Sequence, residues 1–174
     1  MYELLIPMNA KPPTGTPSLW APLVKYIPDK AYHYVEGLLN QHTLFLKITK
    51  PKRSRAGLYF YDEKRRRHAI YINGNLDKYN FLITLIHEYA HLVARVKYGQ
   101  KIKPHGPEWK SIFRELMKPL LHTDIFPPAI ITHVRSHMAN PATTHFRDRD
   151  LLQAIDSYLS ESQPKPSVKS RPSR

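Results

Sequence analysis

The sequence predicts an α+β domain, in which helices pack on a small antiparallel sheet of three strands. Two periods in the apolar residues lead to this fold class. On both sides of residues 43–72, apolar side chains recur every three or four positions, which is typical of amphipathic helices. Within residues 43–72 the period falls to two, with aromatic and branched residues separated by polar loops, as in strands.

Two short helices are predicted before the sheet, at residues 19–27 and 29–40, with Pro28 between them. The strands are predicted at residues 43–49, 57–61 and 68–72, joined consecutively as a meander. Two weaker helices are predicted near the C-terminus, at about residues 128–138 and 148–159. The chain thus divides into a proline-rich lead-in (1–18), a main domain (19–120), a helical extension (121–160) and a disordered basic tail (161–174).

A long apolar stretch after the sheet has the period of a single helix. Asn75 or Asp77 is placed to cap its start, and Gly99 suits the left-handed residue just past its end. Its apolar stripe comprises Phe81, Leu82, Leu85, Ile86, Tyr89, Leu92, Val93 and Val96. We expect this stripe to face the core and the histidines of the helix to lie on another face. The next helix is predicted to start at Pro107.

Residues 87–91 form the pattern His-Glu-x-x-His within the long helix. Positions four apart lie one above the other on a helix, so His87 and His91 can direct two imidazoles at one metal ion. Glu88 is rotated around the helix and reaches water on that ion rather than the ion itself. His105 can supply a third ligand, which leaves the fourth position of a catalytic zinc for water. The pattern therefore predicts one Zn²⁺ ion held by three histidines.

Other residues with similar chemistry leave two questions open. Glu108 or Glu115 is an alternative third ligand, because a carboxylate on the following helix can also complete such a site. His133 and His137 repeat the ligand spacing, but no glutamate follows the first of them. We interpret this second pair as surface or packing histidines.

The predicted reaction is peptide hydrolysis in a zincin-like domain, with zinc in the cleft between the helices and the sheet. Glu88 is the expected general base, and Tyr98 or Arg95 is a candidate donor to the oxyanion. Two other classes of protein stay open. One is a nucleic-acid-binding module with a structural zinc, in which four protein ligands are expected. The other is a zinc hydrolase that acts on a non-peptide bond.

Several stretches of the chain resemble a known family. They are residues 82–91, the sequence His105-Gly106-Pro107-Glu108-Trp109, and the upstream Ile48-Thr49-Lys50 and Arg55-Ala56-Gly57. These stretches resemble the SprT-like domain, shared by bacterial SprT proteins and the Spartan proteases that digest proteins crosslinked to DNA. The resemblance implies a SprT-like metallopeptidase domain at residues 19–120, with a protein substrate and a setting in DNA repair. It also implies that His87, His91 and His105 bind zinc and that Glu88 is the catalytic acid and base.

Basic residues give the chain a formal net charge of +13 at pH 7. They cluster in the two loops of the predicted meander, before the third histidine, and in the tail. Contacts with phosphate are the expected use, and Tyr59, Phe60 and Tyr61 lie nearby as stacking surfaces for single-stranded bases. We therefore expect DNA, single-stranded or structured, as a partner; the alternative is that these loops are only solvated. The expected contacts are Lys52, Arg53, Arg55, Arg65, Arg66, Arg67, Lys101 and Lys103.

The composition also indicates the compartment. The chain contains no cysteine, so nothing points to an oxidising environment. Its first residues lack a basic leader with a long apolar run, and no stretch approaches the roughly 20 apolar residues that span a bilayer. We expect a cytoplasmic protein with no membrane partner. The sequence leaves the oligomeric state open.

Overall fold

A computed structural model describes residues 18–162, which form five α-helices and a three-stranded sheet. The strands are β1 (Leu44–Thr49), β2 (Gly57–Asp62) and β3 (Arg67–Asn73). The α-helices are α1 (Tyr32–Leu39), α2 (Lys78–Tyr98), α3 (Pro107–Met117), α4 (Pro128–Ala139) and α5 (Arg149–Ser162). Short 3-10 helices cover Ala21–Lys25, Asp29–Ala31, Lys118–Leu120 and His145–Arg147. The α+β class is confirmed, and none of the helices in residues 18–162 has the length and apolar character needed to cross a bilayer.

Small differences from the predicted boundaries occur near both ends of the described region. The first predicted helix, at 19–27, is a 3-10 helix over Ala21–Lys25. Glu161 and Ser162, the predicted start of the tail, form the end of α5. The Ser162 hydroxyl donates to the carbonyl oxygen of Tyr158 at 2.7 Å, which holds this last turn. Residues 1–17 of the predicted lead-in and 163–174 of the predicted tail lie outside the described residues.

The sheet is mixed, so the predicted antiparallel meander is wrong. Its strand order is β1-β3-β2; β1 pairs with β3 in parallel, and β2 pairs with β3 antiparallel. The chain leaves β1, passes the end of β3 in residues 50–56, and returns on the far side of β3 as β2. Asn73 holds this crossover loop, since its Nδ2 donates to the carbonyl oxygens of Lys52 at 3.1 Å and Arg55 at 2.9 Å. The first basic loop is therefore not a hairpin.

Helix α2 lies at the centre of the fold. Asp77 caps its start by accepting two backbone N–H bonds at 3.0 Å, and Gly99 ends it with a φ of 76°. Every residue from Asn80 to Ala90 is buried, because the sheet covers one side of the helix and α3 another. The predicted division into a core face and a separate histidine face therefore needs correction. His87 is only 8% exposed, whereas Val96 of the predicted stripe is 53% exposed.

Two buried histidines tie the C-terminal helices to the rest of the domain. His137 Nδ1 in α4 lies 2.9 Å from Asp148 Oδ2, and Asp148 Oδ1 accepts the N–H of Leu151 at the start of α5. His145, between these helices, places Nε2 at 3.0 Å from Asn80 Oδ1 in α2. The connection between α4 and α5 is thereby fixed against the central helix.

Candidate metal centre

Three histidines converge at the surface of α2. Nε2 of His87 lies 3.1 Å from Nε2 of His105, and Nε2 of His91 lies 3.0 Å from the same atom. Among residues 18–162, His87, His91 and His105 form the one group of three metal-ligating side chains whose ligand atoms all lie within 4.8 Å of one another. The group includes neither Glu108 nor Glu115. The geometry thus favours the histidine, and not a carboxylate of α3, as the third ligand.

The three nitrogen atoms fit a zinc ion. A tetrahedral zinc with Zn–N bonds of about 2.0–2.1 Å separates its nitrogen ligands by about 3.3 Å, close to the two Nε2 separations. Hydrogen bonding alone does not account for the cluster. Nε2 of His105 has either one hydrogen or one lone pair, so it forms one good hydrogen bond and not two. A cation at the meeting point would satisfy all three rings at once.

The surroundings keep these rings neutral. Burial lowers the pKa of His87 to about 2 and that of His91 to about 4, and the neighbouring imidazoles add to the effect. Burial also lowers the pKa of His105. A neutral imidazole offers a lone pair to a metal, whereas a protonated one has none to offer. The ligand atoms are therefore available at neutral pH.

His105 reaches α2 through an unusual backbone conformation. Its φ is 59°, in the left-handed region, which costs a non-glycine residue about 1 kcal/mol or more. The turn before it is tight, because the N–H of Gly106 donates to the Lys103 carbonyl oxygen at 2.9 Å. A Cβ on Gly106 would lie 2.9 Å from that same oxygen. The turn reverses the chain just before α3 and returns the imidazole towards the other two.

The side chain of Glu88 extends from α2 towards β2 and lies beside the histidines. Burial raises the pKa of its carboxyl group to about 7, and the Tyr59 backbone N–H and the Arg55 charge offset part of this rise. Gly57 makes room for the carboxylate, since a Cβ there would lie 2.7 Å from both Glu88 Oε1 and Thr84 Cγ2. Because β2 approaches α2 closely at Gly57, the Glu88 side chain is held against this strand.

Two aromatic side chains enclose the imidazoles. Trp109 of α3 is fully buried, and its ring centroid lies 4.6 Å from that of His87 and 5.1 Å from that of His91. Tyr59 stacks on His91 at 6.3 Å with 8° between the planes, and its hydroxyl lies 2.9 Å from His68 Nδ1. These contacts restrict the orientation of the rings. The sequence pattern indicated only a core position for Trp109 and only base stacking for Tyr59.

The histidines and Glu88 line a cleft of about 620 Å³. One wall consists of residues 54–59, which include the first half of β2. Another comes from residues 143–146, in the connection between α4 and α5, where Thr144 and Phe146 face the cleft and the buried His145 anchors the segment. No pattern in the sequence indicated this second wall, because it is brought to the motif only by tertiary packing.

The structure also places the second histidine pair and the two oxyanion candidates. His137 is buried and paired with a carboxylate, as expected for a packing residue, and His133 is half-buried on the same helix. Arg95 lines the cleft, but its guanidinium lies 3.2 Å from Glu63 Oε1. Tyr98 is 42% exposed and is not among the residues that line the cleft. Of the two oxyanion candidates, Arg95 alone borders the site.

The basic residues predicted to contact nucleic acid fall into three separate groups. The exposed ones are Lys52, Arg53, Arg55, Arg65, Arg66, Lys101 and Lys103. The first three lie in the crossover loop, the next two in the turn between β2 and β3, and the last two between α2 and α3. Arg67 is the first residue of β3, and its guanidinium lies 4.3 Å from the centre of the Phe45 ring.

The three aromatic residues predicted as a stacking surface divide between the two faces of the sheet. Tyr59 contacts His91, and Tyr61 packs under the Arg95 guanidinium at 4.7 Å, so both face α2. Phe60 lies on the opposite face, against Tyr71 at a centroid distance of 5.2 Å. Only Phe60 of the three points away from the metal centre.

The fold and the site together define the class of protein, which is an α+β domain built around a helix of the HExxH type. The model of the SprT-like family matches residues 29–135, and the chain belongs to this family. Protein SprT of Pseudomonas fluorescens (strain SBW25) is 52% identical over 31 residues, which are 18% of this chain and 19% of that relative. Protein SprT of Pseudomonas aeruginosa (strain LESB58) matches to the same extent. The match thus spans about a fifth of these relatives, and no solved structure is significantly similar to the chain.

Proposed function

We propose that this protein is a zinc-dependent metallopeptidase of the zincin type, which cleaves proteins associated with DNA. The observation that carries the proposal is the position of a buried carboxylate beside three converging imidazoles in an open cleft. A structural zinc site has no use for such a carboxylate, and it is normally closed by a fourth protein ligand. Here the described chain provides three ligands and a space in front of them.

His87, His91 and His105 would hold the ion, and Glu88 would act as general base and then general acid. A bound zinc ion supplies a water of lowered pKa and polarises the carbonyl group of the scissile bond. Glu88 takes a proton at its carboxylate and delivers it to the leaving amine. The strand β2 keeps the carboxylate in place, and Trp109 fixes the imidazoles from behind.

The cleft suits an extended peptide. β2 is at the edge of the sheet, so one side of this strand has no strand partner among the described residues. An extended chain can add to such an edge through backbone hydrogen bonds. Residues 57–59 of β2 line the cleft beside Glu88, so a peptide bound there would pass over the metal centre. This arrangement supports a protein substrate over a small non-peptide one.

The association with DNA rests on charge. Three groups of exposed basic residues lie in loops of the domain, and the net charge of +13 favours binding to polyanions. Bound DNA would bring the enzyme and a DNA-bound protein together. The predicted role in DNA repair follows from this association and from the resemblance to the SprT-like domain.

The division of labour at the centre can be tested by substitution. We expect H87A, H91A and H105A each to lower zinc occupancy, whereas Glu88→Gln keeps the metal and abolishes turnover. His133→Ala is a matched control, because His133 belongs to a pair of the same spacing outside the cluster. Loss of zinc from the Glu88→Gln variant would show that this carboxylate is a ligand and not a base.

The substrate is tested with the zinc-loaded protein and a DNA-binding protein, incubated with and without single-stranded DNA. Cleavage that requires zinc and Glu88 and rises with DNA supports the proposal. Zinc bound tightly without cleavage of any protein would instead support the nucleic-acid-binding module. Cleavage that ignores DNA would retain the peptidase and remove DNA from its function.

A further inference from the structure

The face of the sheet that points away from α2 carries aromatic and basic side chains. We call it the outer sheet face. It also holds one acidic residue, Asp62. Strand alternation and register place ten residues on it: Phe45, Lys47, Thr49, Leu58, Phe60, Asp62, Arg67, Ala69, Tyr71 and Asn73. The opposite face holds Ile70 and Ile72, which are buried against α2. Phe45 is 36% exposed and Lys47 is also exposed, so solvent reaches the outer sheet face at β1.

The aromatic rings of this face form one connected group. Phe60 of β2 and Tyr71 of β3 meet edge to face, with centroids 5.2 Å apart and an interplanar angle of 87°. Phe45 of β1 meets Tyr71 at 6.3 Å and 73°. All three strands therefore contribute a ring. Aromatic side chains on an open sheet are a recurrent platform for unstacked bases, since every base has a π face.

A cation lies beside two of these three rings. The Arg67 guanidinium lies 4.3 Å from the centre of the Phe45 ring, and Lys47 Nζ lies 5.7 Å from that of Tyr71. Within residues 18–162, neither cation forms an ion pair, and the buried Nε of Arg67 has no hydrogen-bond partner. Lys47 thus carries a positive charge without an ion-pair partner among these residues, whereas the charge of Arg67 is partly offset by the nearby carboxylate of Asp62, its register partner on β2. A ligand with alternating rings and negative charges would match this pattern.

The strand order explains why two basic loops lie so far apart. The crossover loop, residues 50–56, is at the end of the sheet where β1 and β3 finish, and the turn at residues 63–66 is at the other end. Strands of six residues separate these ends by about 20 Å. A stacked single strand has one phosphate per roughly 3.4 Å, so about six phosphates would span that distance. The two loops thus bound one track across the outer sheet face.

We propose that the outer sheet face binds single-stranded nucleic acid. Bases stack on Phe45, Phe60 and Tyr71, and the backbone contacts Lys47, Arg67 and the basic loops at either end. A duplex hides its base faces, and an acidic peptide has charges without π faces, so neither matches the aromatic group. The inference rests on the DNA association in the proposed function and assigns it to a surface. The stacking surface is independent of catalysis, because the outer sheet face is on the far side of the sheet from the cleft. Among the basic residues of the two loops, Arg55 alone also lines the cleft.

Binding is measured by fluorescence anisotropy with the full chain and a labelled single-stranded DNA of about 12 nucleotides, a length within the usual range of such sites. A second strand of the same length carries abasic sites, which keep the phosphates and remove the bases. We expect Phe45→Ala to weaken binding of the intact strand about 5-fold or more and to leave the abasic strand unaffected. Phe45→Leu should behave in the same way, and it retains apolar volume in case the alanine variant unfolds.

The salt dependence of the affinity distinguishes contacts with phosphates from stacking on bases. Lys47→Glu should flatten the slope of log affinity against log salt by about 0.7, whereas Phe45→Ala should leave the slope unchanged. Tyr98→Ala is a matched aromatic control, since Tyr98 is 42% exposed and lies 5.2 Å from Lys97 Nζ at the end of α2. Lys118→Glu is the matched charge control, exposed on a short helix after α3. Neither control should alter binding.

Several results would overturn the proposal. Equal affinity of the wild-type protein for intact and abasic strands would reduce the surface to a simple basic patch. Unchanged affinity of Phe45→Ala and Phe45→Leu, or tighter binding of a duplex than of a single strand, would exclude the outer sheet face. An RNA strand of the same sequence identifies the preferred nucleic acid by its affinity. Measuring binding with Glu88→Gln separates this inference from the proposed function, because that variant lacks turnover and should bind normally.

Discussion

Replacing Gly57 with alanine should separate catalysis from metal binding. The new Cβ would lie 2.7 Å from Glu88 Oε1, 2.7 Å from Thr84 Cγ2 and 2.8 Å from Glu88 Cγ, where ordinary contacts begin at 3.4 Å. The strand or the carboxylate must therefore move by about 0.7 Å, and such overpacking costs about 1–3 kcal/mol. A displacement of about 1 Å in a catalytic group can lower a rate roughly a hundredfold. The imidazoles contact Trp109 and not Gly57, so we expect zinc occupancy to stay close to normal.

The matched control is Gly37→Ala on α1, where a Cβ meets nothing within 4 Å. Alanine there should stabilise the helix by about 0.5–1 kcal/mol and leave turnover unchanged. Urea unfolding gives the stability, metal analysis gives the zinc content, and cleavage of the protein substrate gives kcat/KM. If Gly57→Ala keeps wild-type turnover and stability, then β2 does not hold Glu88 in place, and another contact must position the carboxylate.

Further predictions concern stability and charge. Burial lowers the pKa of His145 to about 3, below the unfolded value of 6.5, so its contribution to stability is present above pH 6.5 and is lost as the pH falls towards 3. In thermal unfolding between about pH 7 and 4, His145→Gln should therefore reduce this loss of stability. A profile equal to wild type would show that His145 does not cause the loss. Trp109→Ala should destabilise the metal-free protein by about 3–5 kcal/mol and weaken zinc binding, whereas Trp109→Phe should do less of both in urea titrations and metal competition. Arg53→Glu and Arg66→Glu should each flatten the salt slope of single-stranded DNA binding by about 0.7 without altering zinc content, and slopes equal to wild type would mean that these loops are only solvated.

The local part of the candidate site could be predicted from the sequence. The i, i+4 spacing of His87 and His91 depends on helix geometry alone, and the cap at Asp77 and the end at Gly99 follow from residue type. The position of His105 is different in kind. Histidine adopts a left-handed backbone more often than most residues, but too rarely for the residue type to predict it. The spacing therefore leaves a carboxylate of the next helix open as the third ligand.

The pairing of the strands could not be read from their alternation. A period of two identifies strands and their faces, but it does not say which strand lies in the middle. The length of the first connection was the available signal, since residues 50–56 are more than a tight hairpin needs. Gly57 was another, because glycine in a strand often marks a close approach of another group. The wall formed by residues 143–146 depends on packing between distant helices and has no such local mark.

The candidate metal centre borders the hydrophobic core, so binding of a metal there would be coupled to folding. Glu88 and His87 are buried on a helix that is covered on all sides from Asn80 to Ala90. In the metal-free chain, the buried His87 imidazole and the desolvated Glu88 carboxylate oppose folding, because their polar atoms are removed from water without full compensation. An ion that binds the folded state alone removes that penalty and stabilises the domain by mass action. Ligation of such an ion by His105 would also help to maintain the left-handed turn, and this would explain why a strained residue occupies this position.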